Sequence, residues 1–152
     1  MTGSRPRVLA LLALVTTLLG FVAVRLWERS GGGPLPLPWT AVVAMAAIAV
    51  SVLALAWPVR RWNAGRRDRP LDPLRAARAA VLAKAASHCG ALVSGWYLGQ
   101  ALVLVSDLAI EPRRDRFVLA VVAVLAALVV VAAGLVAEHW CRLPDEPPDE
   151  DD

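Results

Sequence analysis

Three stretches of this chain, Val8–Val24, Ala41–Trp57 and Phe117–Val136, contain no charged residue. Each is close to the roughly 20 residues that a helix needs to cross a bilayer core of about 30 Å. A fourth apolar stretch, Cys89–Ser106, is preceded by Lys84 and followed by Asp107. With 58% apolar residues and a mean hydropathy of +0.57, 152 residues are too apolar for an ordinary soluble domain. The expected fold is all-α and integral to a membrane: an antiparallel four-helix transmembrane bundle with spans at about 8–24, 39–57, 82–106 and 117–137. A disordered acidic tail over 144–152 follows it.

The first run comes after Arg5 and Arg7, as a secretory signal would, but a signal ends in small residues before its cut. Here the run closes on Phe21-Val22-Ala23-Val24-Arg25, which favours an uncleaved anchor. Orientation follows from arginine. Between the second and third runs stand Arg60, Arg61, Arg66, Arg67, Arg69, Arg75 and Arg78 against only Asp68 and Asp72, and a short loop rich in Arg or Lys lies on the cytoplasmic side. Four spans then place both termini in the cytoplasm.

The net charge of +3 conceals a division. Pro144–Asp152 holds six acids and no base, so the remainder carries +9. Three prolines and no apolar residue leave that tail nothing to bury; it solvates the inner face, folds back on the Arg60–Arg69 cluster, or meets a basic partner. The cluster adjoins a helix end, where anionic lipid headgroups account for it, and no nucleic-acid partner is expected. Cys89 and Cys141, the only cysteines, both fall toward the reducing side, which argues against a disulfide. Trp27 and Trp39 bracket the first outer loop, while Trp57, Trp62 and Trp140 fall at inner helix ends, as interfacial tryptophans do. Within that loop Gly31-Gly32-Gly33 is a flexible piece and Pro34-Leu35-Pro36-Leu37-Pro38 a stiff one.

The third run is the unusual one. Asp72 and Pro73 read as a helix cap and first helical residue, and no breaker follows until about Asp107. That gives either one helix of about 30 to 36 residues, longer than the bilayer core is thick, or a helix kinked near Ser87–Gly90. Steps of four along it give Ala79, Ala83, Ser87, Ala91, Gly95 and Gly99, a row on one face that admits a second backbone closely. Ala91, Gly95 and Gly99 are the packing candidates. Lys84 and His88 fall within about 40° of that row at 100° per residue, at its cytoplasmic end. The row serves packing inside the bundle, self-association, or an ion or substrate path that would use Lys84, His88 and Gln100. Trp96, Tyr97 and Gln100 are the polar-aromatic part of the helix and could line a ligand cavity.

No catalytic pattern accompanies these residues. Adjacent His88 and Cys89 diverge by about 100° on a helix, and His139-x-Cys141 adds no metal-binding pair of usual spacing. There is no Gly-x-Ser-x-Gly, His-Glu-x-x-His or glycine-rich phosphate loop. No enzyme activity, cofactor or metal is expected. A proton relay needs buried carboxylates, and Asp107 and Glu138 lie only at the margins of the runs.

Several segments are shared with a known family: Asp72-Pro73-Leu74-Arg75-Ala76-Ala77-Arg78, Leu82-Ala83-Lys84-Ala85, Gly90-Ala91, Gly95-Trp96-Tyr97-Leu98-Gly99, and the close Glu138-His139-Trp140-Cys141-Arg142-Leu143-Pro144 followed by acids. On these the chain resembles small, uncharacterised four-span membrane proteins of actinobacteria, often encoded near folate-biosynthesis genes. The resemblance covers nearly the whole chain and implies a multi-pass protein of the bacterial plasma membrane. It assigns no activity and no site residue. The function expected is that of a structural or interaction component of a membrane assembly, with a membrane-protein partner or a second copy of itself; a small transporter or transporter subunit is the alternative.

Overall fold

The computed structural model describes residues 6–33, 36–63, 73–107 and 111–141. They form four α-helices, α1 (Pro6–Arg29), α2 (Trp39–Asn63), α3 (Pro73–Leu104) and α4 (Glu111–Trp140), with a single 3₁₀ turn, Val105–Asp107, closing α3. Among the described residues there is no strand. Three helices, α1, α2 and α4, are long and apolar enough to cross a membrane. Where water is excluded, only a helix satisfies the backbone within one segment, which is why Val-rich runs such as Val129-Val130-Val131 are helical despite their β-branching.

Helix ends follow local chemistry. Pro6 and Pro73 open α1 and α3, where a missing N–H costs nothing. The cap expected at Asp72, the arginine-rich loop over residues 64–72 and the acidic tail lie outside the described residues. At the end of α1, Gly31 has φ +81°. Its N–H donates to the Glu28 carbonyl (3.2 Å) and that of Gly32 to the Trp27 carbonyl (3.0 Å), the paired bonds of a Schellman stop. Trp27 Nε1 then donates to the Gly33 carbonyl (2.9 Å). The glycines read as a flexible connector are therefore a built helix stop.

α3 is helical without a break from Pro73 to Leu104, 32 residues, about 48 Å at 1.5 Å per residue, with no interruption at Ser87–Gly90. It is also the central element. α3 packs against α4 and α1, α2 packs against α4 and also touches α3, and α1 makes no close backbone approach to α2 or α4. The arrangement is a triangle of α2, α3 and α4 with α1 laid along α3, rather than a closed square of four.

Size, more than polarity, separates inside from outside. The core shared by α2, α3 and α4 holds Met45, Ala49, Val52, Ala56, Ala83, Ala86, Ala127, Val130, Ala133 and Ala137. Many of the larger apolar side chains, among them Leu11, Leu14, Leu18 and Leu19 of α1, Ile48 and Leu55 of α2 and Leu125 and Leu128 of α4, are exposed. A water-soluble protein would bury those leucines. Small residues inside and large ones outside are what helices do in lipid, where close backbone approach rather than hydrophobic burial drives association.

Candidate packing site on α3

On one side of α3 lies α1. A Cβ placed on Gly95 would collide with Thr16 Oγ1 and the Ala13 carbonyl, and one on Gly99 would lie 2.6 Å from the Thr17 carbonyl and 2.7 Å from the Phe21 nitrogen. Gly20 of α1 reciprocates, since its Cβ would meet the Trp96 carbonyl at 3.1 Å. Residue numbers rise together along this seam, from 13 against 95 to 21 against 99. Two helices lie nearly backbone to backbone here, and the row of small residues finds its occupant within the same chain. Ala91, one turn earlier, is buried.

On the other side lies α4, through glycines that the four-step row did not include. A Cβ on Gly134 would come within 2.8 Å of the Ala83 carbonyl and the Ser87 nitrogen, and one on Gly90 within 2.9 Å of Val131 Cγ2 and 3.1 Å of the Ala127 carbonyl. Along this seam the numbers run oppositely, 83 to 90 against 134 to 127. Gly90 belongs to a second row, Ala83, Ala86, Gly90 and Ser94, spaced three and four apart. That spacing was the available signal.

Hydroxyl groups in both seams bond to their own helix. Thr16 Oγ1 donates to the Leu12 carbonyl (2.7 Å), Thr17 Oγ1 to that of Ala13 (2.7 Å), Ser87 Oγ to that of Lys84 (2.9 Å) and Ser94 Oγ to that of Ala91 (2.9 Å). Back-bonding removes the cost of an unsatisfied hydroxyl without tying it to a neighbour. The seams are thus held by close packing.

The three polar candidates are not brought together. His88 Nδ1 donates to the Lys84 carbonyl (2.8 Å), because a carbonyl only accepts, so its ring lies along its own helix. Lys84 is exposed and Gln100 is buried, about 24 Å farther along the helix at 1.5 Å per residue. Nor do Trp96, Tyr97 and Gln100 form one cavity: Trp96 lies over Gly20 of α1, whereas Tyr97 packs on the core with α2 and α4.

Two features escaped the sequence. Glu138, seemingly marginal, follows Gly134 by one helical turn and buries its Oε2; the four-residue step from Gly134 into the α3 seam was the available clue. At the same end, the indoles of Trp57 and Trp140 meet edge to face, with centroids 6.0 Å apart and planes at 75°. The guanidinium of Arg60 lies over both, 5.0 Å from the Trp57 ring and 4.7 Å from the Trp140 ring. Trp57 and Arg60 are three apart on one face, but nothing in the sequence indicates that α4 ends beside them. Next in the chain, partial burial raises the Cys141 thiol above its usual pKa.

A family model described as a protein of unknown function, DUF3180, matches residues 9–145. No curated protein and no solved structure matches the chain.

Proposed function

The chain belongs to the DUF3180 family of proteins of unknown function, and we propose that it is a four-span protein of the bacterial plasma membrane, a structural or interaction component of a membrane assembly and not an enzyme. The observation that carries this reading is the inverted packing around α3, with small side chains and backbone inside and leucines outside. α3 is the least apolar of the four long helices, yet Ser87, Ser94 and Gln100 are buried. Its neighbours, rather than lipid, surround those groups. Its close contacts with α4 and α1 extend from Ala83 to Gly99, about 24 Å of rise and most of a bilayer core. If α1 and α4 cross the membrane, α3 crosses with them, as the fourth span of an alternating up-and-down bundle.

In this arrangement both termini and the arginines from Arg60 to Arg78 face the cytoplasm, where they meet anionic lipid headgroups. The separation of Lys84 and His88 from Gln100 favours the assembly role over transport, which requires polar groups in a continuous path. Purification in mild detergent, with identification of what accompanies the protein, tests the proposal. A membrane protein that recurs with the folded chain is the expected result. A bound small molecule with no recurring protein would count against it.

A further inference from the structure

Arg60 is held in an unusual way for an arginine at a membrane surface. An arginine that only attracts lipid in a diffuse manner ranges over many rotamers. This one stands over two indoles, supplied by the ends of two different helices, at 5.0 and 4.7 Å. The site is assembled only when α2 and α4 end together, as they do where Ala56 and Ala137 are both fully buried in the core.

The chemistry of the clasp follows from the shape of its parts. A cation–π contact holds a guanidinium against the face of an aromatic ring. The five N–H donors lie in the plane, at the edge, and fit a phosphate bidentately. Arg60 remains exposed with both rings beside it, so the N–H donors not turned toward the rings are open to a ligand. The depth is that of a phosphate layer: Trp57 ends the charge-free run of α2, and Trp140 lies four residues beyond that of α4. Tryptophan rings favour this level of the bilayer. Here the indoles fix the donors and also offer an apolar wall to the glycerol and upper acyl carbons of a lipid.

We propose that Trp57, Arg60 and Trp140 form a specific site for the phosphate of one anionic phospholipid. The inference rests on the inner-leaflet orientation above and goes beyond the general attraction of the arginine-rich loop. Arg61, exposed and adjacent, carries the same charge without the indoles and is the natural control.

The test uses the full chain in nanodiscs of phosphatidylcholine with a minor fraction of phosphatidylglycerol, released for native mass spectrometry, with the thermal unfolding of each variant recorded alongside. One phosphatidylglycerol retained per chain is expected. Arg60→Gln should weaken retention about tenfold, the scale of one lost bidentate contact. Arg60→Lys should weaken it severalfold although charge is kept, Trp140→Phe should have an intermediate effect, and Arg61→Gln should change it less than twofold. Equal losses for Arg60→Gln and Arg61→Gln would overturn the site and leave the diffuse attraction standing. No preference for phosphatidylglycerol over phosphatidylcholine would overturn both. Displacement by millimolar inorganic phosphate would make it a free-phosphate site and overturn the lipid assignment. Retention seen only after residues 144–152 are removed would assign the clasp to the chain's own acidic tail and overturn it likewise.

Discussion

Replacing Gly99 with alanine introduces one methyl group at the closest approach of α1 and α3, and its effect can be worked from the contacts. The new Cβ would lie 2.6 Å from the Thr17 carbonyl, 2.7 Å from the Phe21 nitrogen and 3.0 Å from the Gly20 carbonyl carbon. All three are backbone atoms of one helix, so no side chain can rotate away. Ordinary contact begins near 3.4 Å, and α1 must therefore retreat by about 0.8 Å. A radial gap of 0.5–1 Å forfeits roughly a quarter to a half of each dispersion contact along the seam. α1 approaches neither α2 nor α4 closely, so nothing gained elsewhere offsets the loss. The sum falls in the usual range for overpacking, and we expect about 2 kcal/mol, roughly a thirtyfold shift in the folding equilibrium. Gly33→Ala is the comparison, because a Cβ there meets nothing within 4 Å, and its effect should stay within about 0.5 kcal/mol. The assay is reversible unfolding in mixed micelles by added dodecyl sulfate, followed by far-ultraviolet circular dichroism. A midpoint for Gly99→Ala equal to that of Gly33→Ala would refute the seam as a source of stability.

Gly31→Ala, which forces a side chain into the left-handed region at φ +81°, should lower stability by about 1 kcal/mol in the same titration, well apart from Gly33→Ala. Burial disfavours the thiolate of Cys141 and so raises its pKa; in a Cys89→Ala background, the pH midpoint of its maleimide labelling should lie higher in the folded protein than after unfolding in dodecyl sulfate. Gly134→Ala, whose Cβ would come within 2.8 Å of the Ala83 carbonyl and the Ser87 nitrogen, should destabilise by about 1–3 kcal/mol, measured as for Gly99.

Much of the architecture is legible in the chain because α1, α2 and α4 announce themselves by hydropathy alone, and Pro73 marks where α3 begins. Within a membrane, however, apolar pattern stops separating core from surface, since lipid and core are equally apolar. Leu128 and Ala127 are adjacent and both hydrophobic, and only size tells that alanine faces α3 while leucine faces outward. That is also why the Gly95–Gly99 face could be drawn from four-residue spacing but its occupant could not. The choice of α1 depends on Gly20, Ala13 and Thr17 presenting a matching groove, a property of two helices in register. Gly134 and the clasp of Arg60 with Trp140 were hidden for the same reason. Each becomes a site only when a second helix arrives.

The central claim is that α3 crosses the bilayer with the other three helices, and the sidedness of the two chain ends tests it most directly. Single cysteines placed before Pro6 and within 144–152, in a background with Cys89 and Cys141 replaced by alanine, would be probed in intact cells with a membrane-impermeant maleimide. Four spans predict that both ends are shielded from outside and label only after permeabilisation, while a cysteine at Gly33 labels in intact cells. Ends on opposite sides of the membrane would mean three spans, with α3 failing to cross, and would contradict the account.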